Sequence, residues 1–367
     1  MNRPLLAGLA VLSTLAIGQA SADYSKHPKA QLLLDTLRED YGFSPPELDS
    51  VKTALREAQK LPKLIEKELK NKESGGKAAE PDAKPALPDW DDYRPIHVNP
   101  RNIDNGLKYL NDNAAWFARA EAEFGVPPTV IAAILGVETK YGTYTGKFRV
   151  LDALATQGFD HPRRAPFFFS ELTEFFAFTR DAARNPVDLL GSYAGAMGNA
   201  QFMPSNYRWL ALDYDGNGTR DLWSAPDAIG SIAQYLVRYD PKRAFRRGEP
   251  LVVPATVAAA PADSVPRNGK VADQNVGVLR GVGVTPTVAL PDATPAGLIE
   301  LRRGSSREYW VALPNFYAIQ TYNPRVFYAM AVTQLANALA DAQTQQARQA
   351  AAEAAGGASQ LAASGTK

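Results

Sequence analysis

The stretch GVPPTVIAAILGVETKYG, residues 125–142, predicts an apolar helix that carries a carboxylate near its end. Prolines at its start and a glycine after it are residues that begin and end helices. Glu138 stands in the last turn, where the apolar periodicity predicts a buried side chain. Because an unpaired buried carboxylate is costly, Glu138 must either have a partner or be kept protonated for use.

Two interpretations of Glu138 follow from the pattern. Val137, Tyr141 and the nearby Tyr144 would desolvate the carboxyl group and raise its pKa toward that of a general acid, which suits protonation of a glycosidic oxygen. Alternatively, Glu138 forms an ion pair with Lys140 or Arg149, or is an exposed residue at a helix end. Perturbed carboxylates also occur in structural networks, so the pattern leaves both open.

Composition limits the classes of partner. The chain has 367 residues, of which 45% are hydrophobic and 22% charged, so it can bury a large core. A formal net charge of +1, with no long Lys/Arg block, gives no electrostatic case for nucleic acid or for a general membrane-surface role. We therefore expect a globular protein that binds neither.

The N-terminal residues 1–22 have the pattern of a secretory signal peptide. Arg3 precedes an apolar run from Leu5 to Ile17, and Ala20-Ser21-Ala22 fits a cleavage site. The apolar run is too short for a membrane anchor. The chain contains no cysteine, and therefore neither a disulfide nor a thiol for lipid attachment. We expect a soluble periplasmic protein without a membrane anchor.

Hydrophobic periodicity predicts a mainly α (α+β) fold. Helical patterns dominate, one of them from Asn105 to Phe124, whereas Val, Pro, Gly and Thr become frequent after Gly248 and indicate strands. A last helix is predicted from Pro324 to Leu339. The predicted regions are a signal peptide (1–22), an N-terminal helical region and linker (23–89), a helical core (90–247), a strand-rich insert (248–308), a C-terminal segment (309–340) and a disordered tail (341–367).

The segment GSYAGAMGNAQFMPSNY, residues 191–207, combines small residues with hydrogen-bonding and aromatic side chains. Small residues let backbone approach a ligand, and Ser192 and Gln201 can both donate and accept hydrogen bonds. A sugar ring, with polar edges and apolar faces, suits this mixture. A tight loop in which Ser192 only caps a helix is the equally weighted alternative.

The segment DYDGNGTRDLWSAPDA, residues 213–228, has the start of a calcium loop. Asp213, Asp215 and Asn217 occupy positions one, three and five, Gly218 supplies the turn, and Thr219 offers its carbonyl at position seven. Oxygen ligands at this spacing are those that a hard cation requires.

The end of this loop departs from the standard pattern. Ser224 stands at position twelve in place of the bidentate Glu, and Asp227 is the candidate for the closing carboxylate of a longer loop. A capping box between Ser224 and Asp227 at the start of a helix is the competing interpretation.

Arg163 and Arg164 lie in a proline-bounded loop ahead of an aromatic helix. Paired guanidinium groups beside a cleft suit a substrate that carries carboxylates, although solvated surface arginines are the commoner case. The three histidines, His27, His97 and His161, are widely separated in the sequence and give no support for a zinc site or a Ser/His/Asp triad.

Together these segments resemble the lytic murein transglycosylase B family, glycoside hydrolase family 103. The resemblance covers nearly the whole mature chain in five ordered blocks, which are GVPPTVIAAILGVETKYG, KFRVLDALATQGFDHPRRAPFF, GSYAGAMGNAQFMPSNY, DYDGNGTRDLWSAPDAIGSIAQYL and WVALPNFYAIQTYNPRVFYAMAV. It implies a lysozyme-like helical catalytic core and cleavage of the β-1,4 bond between N-acetylmuramic acid and N-acetylglucosamine, with 1,6-anhydromuramoyl products. Peptidoglycan glycan strands and stem peptides are the implied partners.

The resemblance also implies roles for individual residues. Glu138 would be the single catalytic acid/base, and the arginine pair Arg163 and Arg164 would face the stem peptide. The implied cleft residues are Ser192, Gln201, Tyr235, Tyr322, Asn323, Tyr328 and, with a weaker match, Tyr93. The implied ligands of a structural calcium ion are Asp213, Asp215, Asn217, Thr219 and Asp227. No organic cofactor is implied.

Two other functions compete with this interpretation. A hydrolytic muramidase would use the same acid and admit water to the anomeric carbon. A non-catalytic peptidoglycan-binding scaffold would keep the cleft and have other cell-wall enzymes as partners. Glu138 argues against the scaffold, because a protein that only binds gains nothing from a desolvated acid.

Overall fold

The computed structural model describes residues 22–66, 69, 89–258 and 265–364. All but the last residue of the predicted signal peptide, and most of the predicted linker, lie outside these residues. Within them, the helices are α1 (Ala30–Glu39), α2 (Pro45–Glu57), α3 (Trp90–His97), α4 (Pro100–Asp112), α5 (Ala114–Phe124), α6 (Pro128–Thr139), α7 (Val150–Asp160), α8 (Ala165–Asp181), α9 (Pro204–Leu210), α10 (Ala225–Arg238), α11 (Val276–Gly281), α12 (Pro314–Tyr322) and α13 (Val326–Ser364).

The described strands form two antiparallel sheets. They are β1 (Phe148–Arg149), β2 (Leu190–Gly191), β3 (Val252–Val257), β4 (Gln274–Asn275), β5 (Val284–Pro286), β6 (Pro295–Arg303) and β7 (Ser306–Ala312). Strands β1 and β2 pair alone, and the other sheet has the order β4-β6-β7-β3-β5. The larger sheet begins in the predicted strand-rich insert, but β7 runs past its predicted end at residue 308 to Ala312. The prediction of a mainly α fold with a small β region is confirmed.

Helix α6 lies at the centre of the helical body. All of its residues from 130 to 136 are buried, and it packs against α4, α5, α10 and α13. A helix covered on every side has no solvent face, which explains why its sequence is apolar almost throughout. Glu138 comes at the end of this helix, where its surroundings change from core to partly exposed residues.

The predicted helix from Asn105 to Phe124 is in fact two helices. Asn113 ends α4 and precedes α5 with φ −119° and ψ 21°, outside the helical range. Its side-chain amide donates to the Tyr109 carbonyl at 2.9 Å. Asparagine offers the backbone such local hydrogen bonds and so competes with continued helix. The uninterrupted apolar period had hidden this break.

The predicted end of the last helix was also wrong. Helix α13 continues from Val326 to Ser364, past the predicted end at Leu339 and into the tail, which we expected to be a frayed helix that runs into disorder. The residues after Ala340 are rich in Ala and Gln, which favour helix without any packed face. A missing apolar face predicts exposure, which residues 344–353 show, but it does not predict loss of helix.

Across the described ranges, no single helix is both long and apolar enough to cross a bilayer. Helices α5 and α6 meet that test only when taken together, and the chain bends by 115° between them.

Candidate active site

The end of α6 is shaped by three consecutive residues with positive φ. Lys140, Tyr141 and Gly142 have φ values of 50°, 59° and 80°, and the Tyr141 amide donates to the Leu135 carbonyl at 3.1 Å. Left-handed residues end a helix and turn the chain sharply. This turn leaves Glu138 in the last helical turn, as the sequence predicted.

The Glu138 carboxyl group has one described hydrogen-bond donor. The Tyr328 hydroxyl donates to Glu138 Oε1 at 2.7 Å. The side chain keeps some surface open to solvent, yet protein surrounds the carboxyl closely, and burial raises its pKa to about 7, against the lowering effect of the Tyr328 hydrogen bond. The alternative ion pair with Arg149 is not formed, since Arg149 pairs with Asp152 at 2.8 Å.

Three tyrosines predicted for the cleft come together beside Glu138. The Tyr322 and Tyr328 rings lie 6.5 Å apart and nearly parallel, and the Tyr235 ring is 4.7 Å from that of Tyr322. Burial, followed by the Glu138 charge, raises the pKa of both Tyr322 and Tyr328. The Tyr235 hydroxyl donates to the Thr321 carbonyl at 2.8 Å, which fixes α10 against α12.

Tyr93 and Asn323 border the same region. Tyr93, on α3, packs its ring 5.4 Å from that of Phe327, which precedes Tyr328. Its pKa is raised by burial and, after the opposing effect of Arg325, by the Glu138 charge. Asn323 follows α12, and its Oδ1 accepts from the Arg325 amide at 3.3 Å. These contacts place Tyr93 and Asn323 on the elements that surround Glu138.

The loop from Gly191 to Gln201 has a fixed conformation. Ser192 Oγ accepts from the amides of Ala194 and Ala196 at 3.3 and 3.0 Å, so it stabilises a tight loop; no helix begins there, and the helix cap kept as the alternative is not formed. Its hydroxyl hydrogen can still be donated elsewhere. Gln201 has φ 51°, and its side-chain amide donates to the Thr145 carbonyl at 2.9 Å. Both side chains are therefore held in place by the backbone.

Arg163 and Arg164 are exposed at the junction of α7 and α8. Their amides donate to His161 Nδ1 at 3.2 and 3.1 Å. The Arg164 guanidinium lies over the Phe167 and Phe168 rings, 5.0 and 4.8 Å from their centroids. None of these contacts involves Glu138, so the relation of the arginine pair to the cleft stays a prediction.

The segment from Asp213 to Thr219 folds into a loop that brings three carboxylates together. Oxygens of Asp213, Asp215 and Asp227 lie within 4.8 Å of one another. Two ligands on opposite sides of Ca²⁺ are about 5 Å apart, so a single ion fits this separation. The amides of Asn217 and Gly218 donate to Asp213 at 2.9 and 2.8 Å, which keeps its carboxylate in the loop.

The capping box proposed for Ser224 and Asp227 is wrong. Ser224 precedes α10 but makes no side-chain cap. The fully buried Asp227 instead accepts from the Tyr214 and Asp221 amides, both at 2.7 Å. Asp227 thus joins the two ends of the loop through its own carboxylate.

Sequence analysis assigned no role to Asn199 or Thr139. Asn199 is buried between the end of α6 and the segment that leaves the acidic loop, and its carbonyl accepts from Thr139 Oγ1 at 3.0 Å. The signal available in the sequence was a polar residue among small ones, two positions before Gln201. Burial of that residue could not be known without the fold.

Comparison with known proteins agrees with this architecture. The Transglycosylase SLT domain family model matches residues 26–337. The chain is 37% identical over 327 residues to membrane-bound lytic murein transglycosylase B of Escherichia coli strain K12, covering 89% of this chain and 87% of that protein. Catenated lytic transglycosylase SltB1 of Pseudomonas aeruginosa superposes with TM-score 0.75 at 38% identity, covering 87% of this chain and 99% of SltB1.

A third similar structure is lytic transglycosylase Slt35 of Escherichia coli in complex with calcium. It has TM-score 0.74 and 35% identity, and the match covers 89% of this chain and 97% of Slt35. The family match, the identity to a lytic murein transglycosylase and the shared architecture all agree. The chain therefore belongs to the lytic transglycosylase family, whose members are enzymes that act on peptidoglycan.

Proposed function

We propose that Glu138 is the single acid/base of a lytic transglycosylase reaction. The observation that carries this proposal is a partly exposed carboxyl group whose pKa burial raises to about 7, beside a buried tyrosine donor. A general acid/base works best when its pKa lies near the operating pH, because both protonation states are then available. At neutral pH, Glu138 can both give and take a proton.

In the first step, protonated Glu138 gives its proton to the glycosidic oxygen, and the bond between that oxygen and the anomeric carbon of N-acetylmuramic acid breaks. In the second, the Glu138 carboxylate removes the proton of the muramoyl 6-hydroxyl as that oxygen bonds to the anomeric carbon. No water is consumed, and Glu138 regains its proton. The substrate N-acetyl group takes the stabilising role that a second carboxylate has in other glycosidases.

Tyr328 would orient Glu138 through this cycle. Its hydroxyl donates to Oε1, which leaves Oε2 to face the scissile bond. A hydrogen bond to the ionised form favours that form, so Tyr328 helps to stabilise the carboxylate that the first step produces.

The remaining predicted residues would bind substrate. Sugars offer hydroxyl edges and apolar faces, which suit hydrogen-bonding side chains interleaved with aromatic rings. We assign sugar contacts to Ser192, Gln201, Tyr235, Tyr322, Asn323 and Tyr93. The exposed guanidinium groups of Arg163 and Arg164 suit the carboxylates of stem peptides.

Calcium would have a structural role in this protein. The acidic loop supplies carboxylate, amide and carbonyl oxygens, which are the ligands that Ca²⁺ prefers. The candidate ligands are Asp213, Asp215, Asn217, Thr219 and Asp227. The complex of the similar Slt35 with calcium supports the assignment. None of these residues is a described contact of Glu138, so the ion would stabilise the fold instead of taking part in proton transfer.

We propose that the protein acts in the periplasm. Peptidoglycan lies outside the cytoplasm, and residues 1–22 have the pattern of a cleaved signal peptide.

Mass spectrometry of digested peptidoglycan tests the reaction. We expect soluble muropeptides lighter by one water than reducing muropeptides, and a loss of activity of about 10²- to 10⁴-fold in Glu138→Gln. Glu121→Gln is the matched control, because Glu121 is an exposed residue in the last turn of α5. Reducing-end products would indicate a muramidase, and wall binding without products would indicate a scaffold.

A further inference from the structure

Asn199 joins three parts of the molecule through its backbone and side chain. Its amide donates to the Leu222 carbonyl at 2.8 Å, and Nδ2 donates to the Trp223 carbonyl at 2.9 Å. Its carbonyl accepts from Thr139 Oγ1 at 3.0 Å. Asn199 is only 7% exposed, so each of these hydrogen bonds is protected from competing water.

The first part is the end of the helix that carries Glu138. Thr139, the next residue, donates to Asn199 and accepts from the Gly142 amide at 3.0 Å. The Asn199 side chain also fills the space beside Gly142, since a Cβ there would approach Asn199 Oδ1 to 2.9 Å. Asn199 thus lies under the turn that ends α6.

The second part is the cleft. The Ala200 carbonyl accepts from the Tyr322 hydroxyl, and Gln201 is held in the left-handed conformation with φ 51°. The backbone of three consecutive residues therefore positions two side chains that we assign to sugar binding. Movement of Asn199 would displace both.

The third part is the segment leaving the acidic loop. Asp227 accepts from the Asp221 amide at 2.7 Å, directly before Leu222 and Trp223, whose carbonyls receive both donors of Asn199. The conformation of the loop end therefore sets the position of Asn199.

We infer that Asn199 is a positioning residue that couples the acidic loop to the catalytic end of α6. Ligand binding in the loop fixes the backbone of Leu222 and Trp223. Through its hydrogen bonds, Asn199 then fixes the positions of Thr139 and Gln201. The inference rests on the proposed roles of Glu138 and of calcium.

Kinetics of Asn199→Ala test the positioning role. We expect kcat to fall about 10- to 100-fold, because small misplacement of reacting groups is costly, and KM to rise, because Gln201 and Tyr322 are displaced with Asn199. Loosening the turn admits water to Glu138, so its pKa falls and the alkaline limb of the pH profile moves to lower pH. Thr139→Val, which breaks the same connection from the helix, should give the same shift even if Asn199→Ala folds poorly.

Asn315→Ala is the matched control. Asn315 is fully buried and binds the Arg246 and Glu249 carbonyls at 2.8 and 2.7 Å, outside the network of Asn199. Asn315→Ala should lower the melting temperature but leave the alkaline limb of the pH profile unchanged. An unchanged pH profile in both Asn199→Ala and Thr139→Val, or the same shift in Asn315→Ala, would overturn the inference.

Calcium affinity supplies a readout independent of activity. In the Glu138→Gln background, purified glycan strands should tighten calcium binding about fivefold, because coupling between two sites is reciprocal. After Asn199→Ala, the ratio of the calcium dissociation constants measured without and with glycan should be close to one. Coupling that survives Asn199→Ala, or calcium binding that glycan never alters, refutes this inference alone. Failure of the wild-type protein to bind calcium refutes the calcium assignment as well, whereas full activity of Glu138→Gln refutes the catalytic proposal.

Discussion

At the residue scale, Glu138 shows how a core helix can carry an acid. Seven consecutive buried residues precede it, yet the chain turns immediately afterwards through residues with positive φ. The residue therefore keeps some exposed surface, while protein closely surrounds its carboxyl group. Desolvation without a cationic partner raises the pKa, because the ionised form loses more solvation than the neutral form.

The first expected consequence concerns stability and pH. Burial raises the pKa of Glu138 from 4.5 to about 7, so the wild type loses stability as the pH rises through this range. Glu138→Gln, which cannot ionise, should not lose it. Between about pH 4 and pH 8, the free energy of unfolding of Glu138→Gln should therefore increase by up to about 3 kcal/mol relative to that of the wild type. Chemical denaturation at several pH values measures this difference, and a constant difference across the range would contradict a raised pKa.

Tyr328→Phe tests the hydrogen bond to the acid. Loss of a hydrogen bond to a charged group costs about 1.5–3 kcal/mol, so kcat should fall about tenfold or more. The hydrogen bond lowers the pKa of Glu138, and its removal should move the alkaline limb of the pH profile to higher pH. Tyr109→Phe is the control, since the buried Tyr109 hydroxyl has no hydrogen-bond partner in the described part of the chain. An unchanged alkaline limb of the pH profile in Tyr328→Phe would refute the hydrogen bond between Tyr328 and Glu138.

At the element scale, the acidic loop and α10 form one unit through Asp227. Three loop amides, those of Tyr214, Asp215 and Asp221, point at its carboxylate. Burial raises the pKa of Asp227, while these amide donors act in the opposite direction. The residue therefore has a structural function even before any cation is considered, in contrast to the exposed Asp215.

Two aspartate variants should separate these functions. Asp215→Asn should leave the melting temperature in chelator unchanged and reduce the stabilisation that calcium gives the wild type. Asp227→Asn should lower the melting temperature even in chelator, because unsatisfied buried amides cost about 1–3 kcal/mol each. Thermal unfolding with EDTA and with calcium measures both effects. A wild type that does not respond to calcium would refute the metal assignment.

At the scale of the whole molecule, the larger sheet is packed on both faces. Leu298 belongs to a small core of the sheet region, whereas Ile299 and Leu301 join the core of the helical body. Further contacts come from Asp91, which pairs with Arg303 at 2.8 Å. The strand-rich insert is therefore part of the same folded body as α12, the helix that carries Tyr322.

Gly297→Ala tests this junction. A Cβ at Gly297 would collide with the Tyr317 hydroxyl on α12. Overpacking costs about 1–3 kcal/mol, so the melting temperature should fall by several degrees. Gly281→Ala is the control, because a Cβ at Gly281 meets nothing within 4 Å. Equal melting temperatures for the two variants would show that the sheet does not pack tightly on α12.

Sequence alone predicts the mainly α fold, the strand-rich insert, Glu138 in the last turn of its helix and the acidic loop. These features depend on local patterns: hydrophobic period, turn residues and the spacing of oxygen ligands along one segment. Their physical causes act over a few residues, so they can be read without knowing the fold. The predictions of an unbroken helix across Asn113 and of a last helix that ends at Leu339 were wrong for a related reason. A single side-chain hydrogen bond leaves little trace in the apolar pattern. The same is true of a helix propensity that acts without a packed face.

Only the tertiary structure decided which residues meet. Tyr328 lies 190 positions after Glu138 in the chain, and Asn199 reaches both Thr139 and Trp223. The partner of Asp227 likewise changed from Ser224 to the amides of the loop. Burial and pKa arise from atoms that surround a group in space, and chain folding brings those atoms together from distant segments. The sequence could therefore single out Glu138 as a candidate acid, but the pKa of its carboxyl group and the contacts that hold it are properties of the packed molecule.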